Sequence, residues 1–461
     1  MIPRITLSLM ARDHGRLQAH LFPSDGKEAA AVLVCTRVPG QRVRLLVRDV
    51  FPVPHDECAE RSDLKLTWPG AYLEKAIDVA QAGSDCIVLM HSHPSGFAAF
   101  SQADDDSDQV VMPCLHDAVA APWHGSAVMV PSGSIFARLY SGEMAEQPVD
   151  LVSVAGDDLQ YWWRDDLSDT AARPMAFTSD MTCELSRLTA VAIGSSGTGS
   201  PTIDQLSRLG FGKVLTIDHD LVEDRNLNRI LNATMADAVA KRPKVSVMAE
   251  RLNPIRSAPF LEGIDANVMS RRAVLEAARA DVIFCCVDSL RARMVADRLS
   301  AAFLLPLFDV GVLIPTRGQG ADLAIAEVTG RLDYVYPGGS TLGDRGVYTP
   351  ASLQAEYLGE ADPAAHAAQR RAGYIQDHPE EAPSVIALNM RAASACVMEF
   401  IARAYPFRHS HNANYARTRF MLAECVEEHT KESAFTSRHS ALLAMGSKEP
   451  LLGLPVLGEE G

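Results

Sequence analysis

LTAVAIGSSGTGSPTIDQLSRLGFGKVLTID, residues 188–218, decides the fold of the chain's second part. LTAVAIG is a short β-branched run, and KVLTID is another. Between them Gly194, Gly197 and Gly199 turn the first strand into a helix. Strand, crossover helix and strand together are the unit of a parallel sheet, so the fold class is α/β. The first amides of such a helix lack intrahelical partners and hold phosphate. Asp218 ends the second strand about 20 residues beyond the turn, where a carboxylate meets ribose hydroxyls. To this point the unit is a nucleotide-binding half of unspecified chemistry.

The next segments narrow it. HDLVEDRNLNRI (219–230), RPKVSVMAERLNPI (242–255) and ADVIFCCVDSLRAR (280–293) follow in order. Hydride transfer has no use for Arg229 and Lys244 beyond the second strand. A triphosphate does, because those cations neutralise charge as pyrophosphate leaves. Asp288 ends a further buried strand at the carboxyl edge of the sheet, where it can hold Mg²⁺ against phosphates. The rival reading is a nicotinamide-dependent oxidoreductase with an accessory metal domain. It predicts tight NAD binding, and the NLNR and PKV segments argue against it.

Over about residues 180–400 this series resembles the ubiquitin-activating family in its bacterial ThiF/MoeB form: a glycine loop, DxDxVxxxNLxR, a PKV lysine, an NP turn and an aspartate after a strand. The resemblance implies a Rossmann-like, mostly parallel sheet that uses ATP and Mg²⁺ to adenylate the C-terminal glycine of a ubiquitin-like protein. It places Gly194, Gly197 and Gly199 under the phosphates and Asp218 on the ribose. Asn226, Arg229 and Lys244 then contact nucleotide and phosphates, and Asp288 binds Mg²⁺. It also implies a homodimer through this domain, into which Arg173 or Arg187 reaches from before the glycine loop. There are departures. Ser196 replaces a loop glycine and narrows the approach to phosphate, and Ile230 replaces a glutamine. VYPGGSTLGDRG (335–346), where many members carry a nucleophilic cysteine, offers only Ser340 and Thr341. A hydroxyl is a far poorer nucleophile than a thiolate without an adjacent base. Either the chemistry stops at the acyl-adenylate or another cysteine serves, of which Cys425 is the best substitute, whereas Cys285 and Cys286 read as core. A degenerate, non-catalytic activating half that serves as a scaffold is the third reading.

The first part of the chain carries different chemistry. In CIVLMHSHPSGFAAFSQADD (86–105), a buried strand ends in His91 and His93. The two residues alternate onto one side, so both imidazoles converge on one ion, and Asp104 returns from the next loop or first helical turn as a third ligand. Two His and one carboxylate leave a fourth tetrahedral position for water, the layout of a catalytic zinc. HxHP, six residues and SxxD resemble the JAMM (JAB/MPN) metallopeptidases, the zinc-dependent deubiquitinase family, over roughly residues 1–145. The resemblance implies Zn²⁺ on His91, His93 and Asp104, with Glu28 as general base and Ser101 as hydrogen-bond donor to the oxyanion. Glu57, Glu60 and Glu74 are weaker candidates for the base. Asp105, Asp106 and Asp108 blur the register, but only Asp104 keeps the SxxD spacing.

The whole chain of 461 residues is too long for one such domain. We expect a metallopeptidase domain at 1–145, a connector at 146–180 with one docked helix packed through Trp162 and Trp163, an adenylating domain at 181–428, and an irregular tail at 429–461. The long amphipathic run APSVIALNMRAASACVMEFIARAY reads as core or a dimer seam. Nine cysteines, no CxxC pair and no convincing signal peptide fit a reducing cytoplasm. A net charge of −15 argues against nucleic acid, and no apolar run reaches the ~18 residues that would imply a membrane helix. The expected partners are a ubiquitin-like protein ending in glycine and a conjugating enzyme or sulfur-transfer protein.

Overall fold

A computed structural model describes residues 2, 4–38, 40, 42–164, 175–318, 324–364, 366 and 385–458. The first part is one sheet with helices on it. In chain order the elements are β1 (Ile5–Met10), α1 (Ala11–Leu21), β2 (Ala30–Val38), β3 (Val43–Pro52), the short ladder β4 (Glu60–Arg61) and β5 (Leu66–Thr67), α2 (Ala71–Gln81), β6 (Cys86–Ser92), α3 (Gln102–Ala118), β7 (His124–Met129), β8 (Ile135–Tyr140), β9 (Glu146–Pro148), β10 (Leu151–Ala155) and β11 (Leu159–Trp163). The nine-stranded order is β11-β10-β1-β3-β2-β6-β7-β8-β9. β2 and β6 run antiparallel, with Ala30 opposite His91 and Cys35 opposite Cys86. Their continuous apolar runs are buried on both faces, as sheets covered on both sides require. Leu17 and Leu21 press α1 onto the sheet; burying each contributes about 2 kcal/mol.

Residues 151–155 and 159–163, expected in a connector, are two strands of this sheet. The Thr6–Leu151 and Leu151–Trp163 pairings supply partners that local sequence does not reveal. Trp163 is buried and donates to Glu184 Oε1 at 2.9 Å, and Trp162 lies against His14.

The second part holds α4 (Ser179–Leu185), β12 (Thr189–Ile193), α5 (Gly199–Leu209), β13 (Lys213–Asp218), α6 (Met235–Val239), α7 (Lys244–Leu252), β14 (Leu261–Asp265), α8 (Arg271–Ala277), β15 (Val282–Cys285), α9 (Leu290–Phe303), β16 (Leu307–Leu313), β17 (Thr316–Arg317), β18 (Ala324–Ile325), β19 (Thr329–Val335), α10 (Pro350–Ala361), a long helix at Ile386–Ala404, β20 (Arg417–Met421) and β21 (Val426–Thr430). The sheet order is β14-β13-β12-β15-β16-β19-β20-β21. The first five strands are parallel, and β19, β20 and β21 add antiparallel neighbours. The Ile386–Ala404 helix buries Leu388, Ala392, Cys396 and Phe400 in the core beneath β16 and β19, so it serves as core.

The two parts are docked along the amino edge of the second sheet. Arg42 forks onto Asp281 at 2.7 and 3.0 Å, and the Asp281 carboxylate also accepts the Thr189 amide. Arg44, fully buried, donates to the Ala278 carbonyl at 2.7 Å. Tyr334 donates to the Gly156 carbonyl at 2.6 Å, and Asn412 donates to Asp158 at 2.6 Å. Among the described residues, the tail after 430 has only short 3-10 turns, yet it is packed. Leu451, Leu452 and Leu457 are buried against α9. The Ala444 amide donates to Ala301 and the Ala444 carbonyl accepts from Thr36, which straps α9 to β2.

Candidate metal and nucleotide sites

The metal site follows from the β2–β6 register. His91 and His93 share one face of β6, and Ala30 lies opposite His91. Two residues earlier, therefore, Glu28 comes level with His93 on that same face. The β4–β5 ladder clamps Glu28: its amide donates to Ser62 at 2.7 Å, and Arg61 Nε donates to its carbonyl at 2.8 Å. Asp104 arrives on the first turn of α3. Ser101 caps that helix, donating through its amide (2.6 Å) and its hydroxyl (2.8 Å) to Asp104 Oδ2. His91 Nε2 lies 3.1 Å from His93 Nε2 and 3.0 Å from Asp104 Oδ1. One donor atom from each of the three lies within 4.8 Å of the others, which suits a single ion. His93 Nδ1 sits 2.8 Å from the Phe97 carbonyl. That bond keeps the proton on Nδ1 and turns the Nε2 lone pair to the cluster, as imidazole ligands of metals require.

Burial raises the pKa of Glu28 against the opposing pull of His91 and His93. Glu60 pairs with Lys65, and Glu57 interacts with Tyr72. The neighbouring acids are spoken for: Asp105 and Asp108 hold Arg138, Ser126 donates to Asp108, and Asp106 accepts from Gln102. The Ser101 hydroxyl proton, expected at an oxyanion, points at Asp104. Because Ser101 is the cap residue of α3, its hydroxyl lies over the N3 carboxylate.

The nucleotide residues gather at the other sheet's carboxyl edge. Ile193 pairs with Ile217 and with Cys285 in parallel register, so the loops after β12, β13 and β15 lie side by side. Gly194 has φ +92°, and a Cβ there would sit 2.8 Å from the Cys286 carbonyl. A Cβ on Gly199 would drive into the Gly194 carbonyl. Gly197 backs onto Arg229 and onto Asn389 of the Ile386–Ala404 helix. Asn389 was not legible as a site residue because nothing local links that helix to the loop. Asp218 accepts the Ser195 and Asp220 amides at 2.7 and 2.9 Å, and burial raises its pKa despite Lys244. Lys244, buried at the start of α7, donates to Asp220 Oδ2 at 2.7 Å. Asn226 is buried and accepts the Glu223 amide at 3.2 Å. Asp288 is exposed just before α9. Ser196 is half-buried, and Ile230 is buried.

The hydroxyls and thiols weighed as nucleophiles lie apart from the glycine loop. β19 runs antiparallel to β16 and ends at the amino edge, so Ser340 and Thr341 lie at the opposite edge from the Gly194 loop. Ser340 is fully buried and accepts from Arg345 Nε at 2.8 Å. Cys425 is exposed in the β20–β21 turn, at the carboxyl edge but four to five strand spacings along the sheet from β12, roughly 20 Å. Cys285, Cys286 and Cys396 are buried, and burial pushes their thiols up, that of Cys286 to about 12. Arg187 stacks over Trp163 at the amino end of β12. Arg173 lies outside the described residues.

Residues 171–351 match the ThiF family, and residues 11–140 match prokaryotic homologs of the JAB domain. Ubiquitin-like modifier-activating enzyme 5 of Aedes aegypti is 27% identical over 157 residues, 32% of this chain and 36% of that protein. The sulfur carrier protein ThiS adenylyltransferase of Bacillus subtilis (strain 168) is 28% identical over 178 residues, 37% of this chain and 52% of its own length. The chain thus spans about a third to a half of the length of these two relatives. A structure of E. coli MccB with ATP is 15% identical, with a TM-score of 0.43 over 57% of this chain and 68% of that one.

Proposed function

From a chain whose residues 11–140 belong with the prokaryotic homologs of the JAB domain and whose residues 171–351 belong to the ThiF family, we propose a two-site enzyme of a ubiquitin-like pathway. Its first site is a zinc-dependent peptidase or isopeptidase that frees a ubiquitin-like protein's terminal glycine. Its second site adenylates that glycine with ATP and Mg²⁺. The observation that carries the reading is the convergence of His91, His93 and Asp104, with Glu28 level with them across the β2–β6 register.

Zinc bound there supplies a polarised water at neutral pH. Glu28 holds the proton at its carboxylate and delivers it to the leaving nitrogen. Ser101 and His93 Nδ1 keep the ligands aimed. At the second site, Gly194, Gly197 and Gly199 let the backbone approach the phosphates, and Asp218 binds the ribose. Arg229 and Lys244 offset the charge that builds as pyrophosphate departs, and Asn226 and Asp288 complete the nucleotide and Mg²⁺ contacts. The buried cysteines and the distance to Cys425 favour a product that remains an acyl-adenylate, to be passed to a conjugating or sulfur-transfer protein. Nine unpaired cysteines suit a cytoplasmic setting.

The test uses a ubiquitin-like protein ending in Gly-Gly, with and without a short extension. Glu28→Gln is expected to stop release of the extension, and Arg229→Ala or Asp288→Ala to stop ATP–pyrophosphate exchange driven by the trimmed protein. Cleavage that survives in Glu28→Gln overturns the peptidase half. Exchange that survives in Arg229→Ala overturns the adenylating half.

A further inference from the structure

Along β2 and β6 of the first sheet, and along the parallel strands of the second, the docking contacts and the site lie at opposite strand ends. In the first sheet the seam beside β2 and β6 is made by Thr36, Arg37, Arg42, Arg44 and Asp85, and it continues through Gly156 and Asp158 of the β10–β11 turn, four strands from β6. Asp85 precedes the start of β6, whereas His91 is near its far end; on β2, Thr36 and Ala30 stand in the same relation. In the second sheet the seam is made by Ala278, Asp281, Ala301 and Ala302, all at the amino edge, whereas Gly194, Asp218 and Asp288 follow the carboxyl ends of their strands. At about 3.3 Å per residue, the metal site is therefore roughly 20 Å along β6 from these contacts and the nucleotide site roughly 15 Å along β12. For strands set between a right angle and a straight line, the two sites are roughly 25 to 35 Å apart. The buried Arg42–Asp281 pair and the tail strap hold the two sheets in this relation.

We infer that the two reactions of one chain communicate only through free ubiquitin-like protein: a molecule trimmed at the metal site leaves before its new terminus enters the nucleotide site. This rests on the function proposed above. At the first site, water adds across the bond after the terminal glycine. Hydroxide goes to the carbonyl carbon and the proton to the leaving nitrogen, so a carboxylate results. At the second site that carboxylate oxygen attacks the α-phosphorus of ATP, and pyrophosphate departs with the bonding pair. The same terminus must therefore occupy both sites in turn. A six-residue extended tail reaches only about 20 Å, and a folded body must stay outside each pocket. The tail cannot bridge the two sites, so tethering offers no rise in effective concentration.

The experiment mixes Glu28→Gln and Arg229→Ala chains, each intact at one site, and gives them ATP and a Gly-Gly protein bearing a four-residue extension. The mixture is expected to release pyrophosphate within about two-fold of wild type at equal site concentration, since neither step gains from tethering. Excess unlabelled, already trimmed protein is expected to dilute label from the extended protein out of the adenylate in simple proportion. Pyrophosphate release below about one-tenth of wild type, or label that resists dilution, shows direct transfer within a chain or a dimer and overturns the inference. Wild type that fails to trim the extended protein, or to activate the trimmed one, overturns the proposed function and this inference with it.

Discussion

His124 shows how one buried side chain sets a pH limit. It is fully buried at the start of β7, accepts the Ile87 amide at Nδ1 at 3.0 Å, and holds Nε2 against the Val119 carbonyl. Burial pulls its pKa down to about 4. The unfolded chain takes up this proton near pH 6.5 and the folded chain does not, so stability from His124 is complete above 6.5 and is lost as pH falls toward 4. The loss amounts to about 3 kcal/mol. Urea titrations from pH 7 to 4 are expected to show this slope, and His124→Gln to flatten it. Ser101 acts on a different quantity. Ser101→Ala removes the cap of α3 and the hydroxyl's donation to Asp104, while the backbone amide's donation stays. It should cost about 1 kcal/mol in stability and weaken zinc retention about tenfold, read by competition with a chelator. Unchanged zinc affinity in that variant would leave the hydroxyl without a positioning role.

At the scale of an element, Arg138 of β8 holds the first turns of α3, which deliver Asp104. Arg138 Nε and Nη2 reach Asp108 at 2.9 and 2.7 Å, Nη1 reaches Asp105, and the guanidinium lies 3.9 Å over the Phe100 ring. Phe100 precedes the cap and Asp105 follows Asp104, so the cation grips both sides of the ligand. Arg138→Ala strands the buried Asp108 and releases the half-exposed Asp105, and is expected to cost about 3 kcal/mol and to lower zinc affinity. Arg138→Lys keeps the charge but not the fork, and should fall between. The glycine loop sets the complementary limit in the second sheet. Gly199→Ala places a methyl into the Gly194 carbonyl, and ATP binding measured by calorimetry is expected to be lost while the first site still binds zinc.

At the scale of the whole molecule, the tail links the two sheets. Besides Ala444, Lys448 reaches Asp85 at 3.1 Å and Arg298 donates to the Leu452 carbonyl at 2.8 Å. Removing residues 440–461 exposes the apolar surface covered by Leu451, Leu452 and Leu457 and cuts one of the ties across the seam. Calorimetry is expected to show the single unfolding transition of the full chain split into two, because the parts lose coupling. A single transition in the truncated chain would place the coupling in the Arg42–Asp281 seam alone.

Much of each site can be read in the sequence because its residues are close in the chain or follow strand ends in order. HSHP and SxxD are local, and the glycine loop, Asp218 and Asp288 each follow an apolar run that names its own strand. Glu28 was legible through its place before β2, although only the register sets it level with His93. Other features depend on pairing between distant segments, which composition does not encode. Leu151–Ala155 became a strand because β1 offered an open edge, and Asn389 met the glycine loop because a helix nearly 200 positions later packs beneath it. Ser340 came to lie on the wrong edge for a nucleophile because β19 turns antiparallel. The sequence by itself determined which donor set and which glycine loop this protein carries, since both are short-range patterns. Only the tertiary structure decided that each lies at the strand end away from the contacts joining the two sheets, because that docking rests on contacts such as Arg42 with Asp281, 239 positions apart.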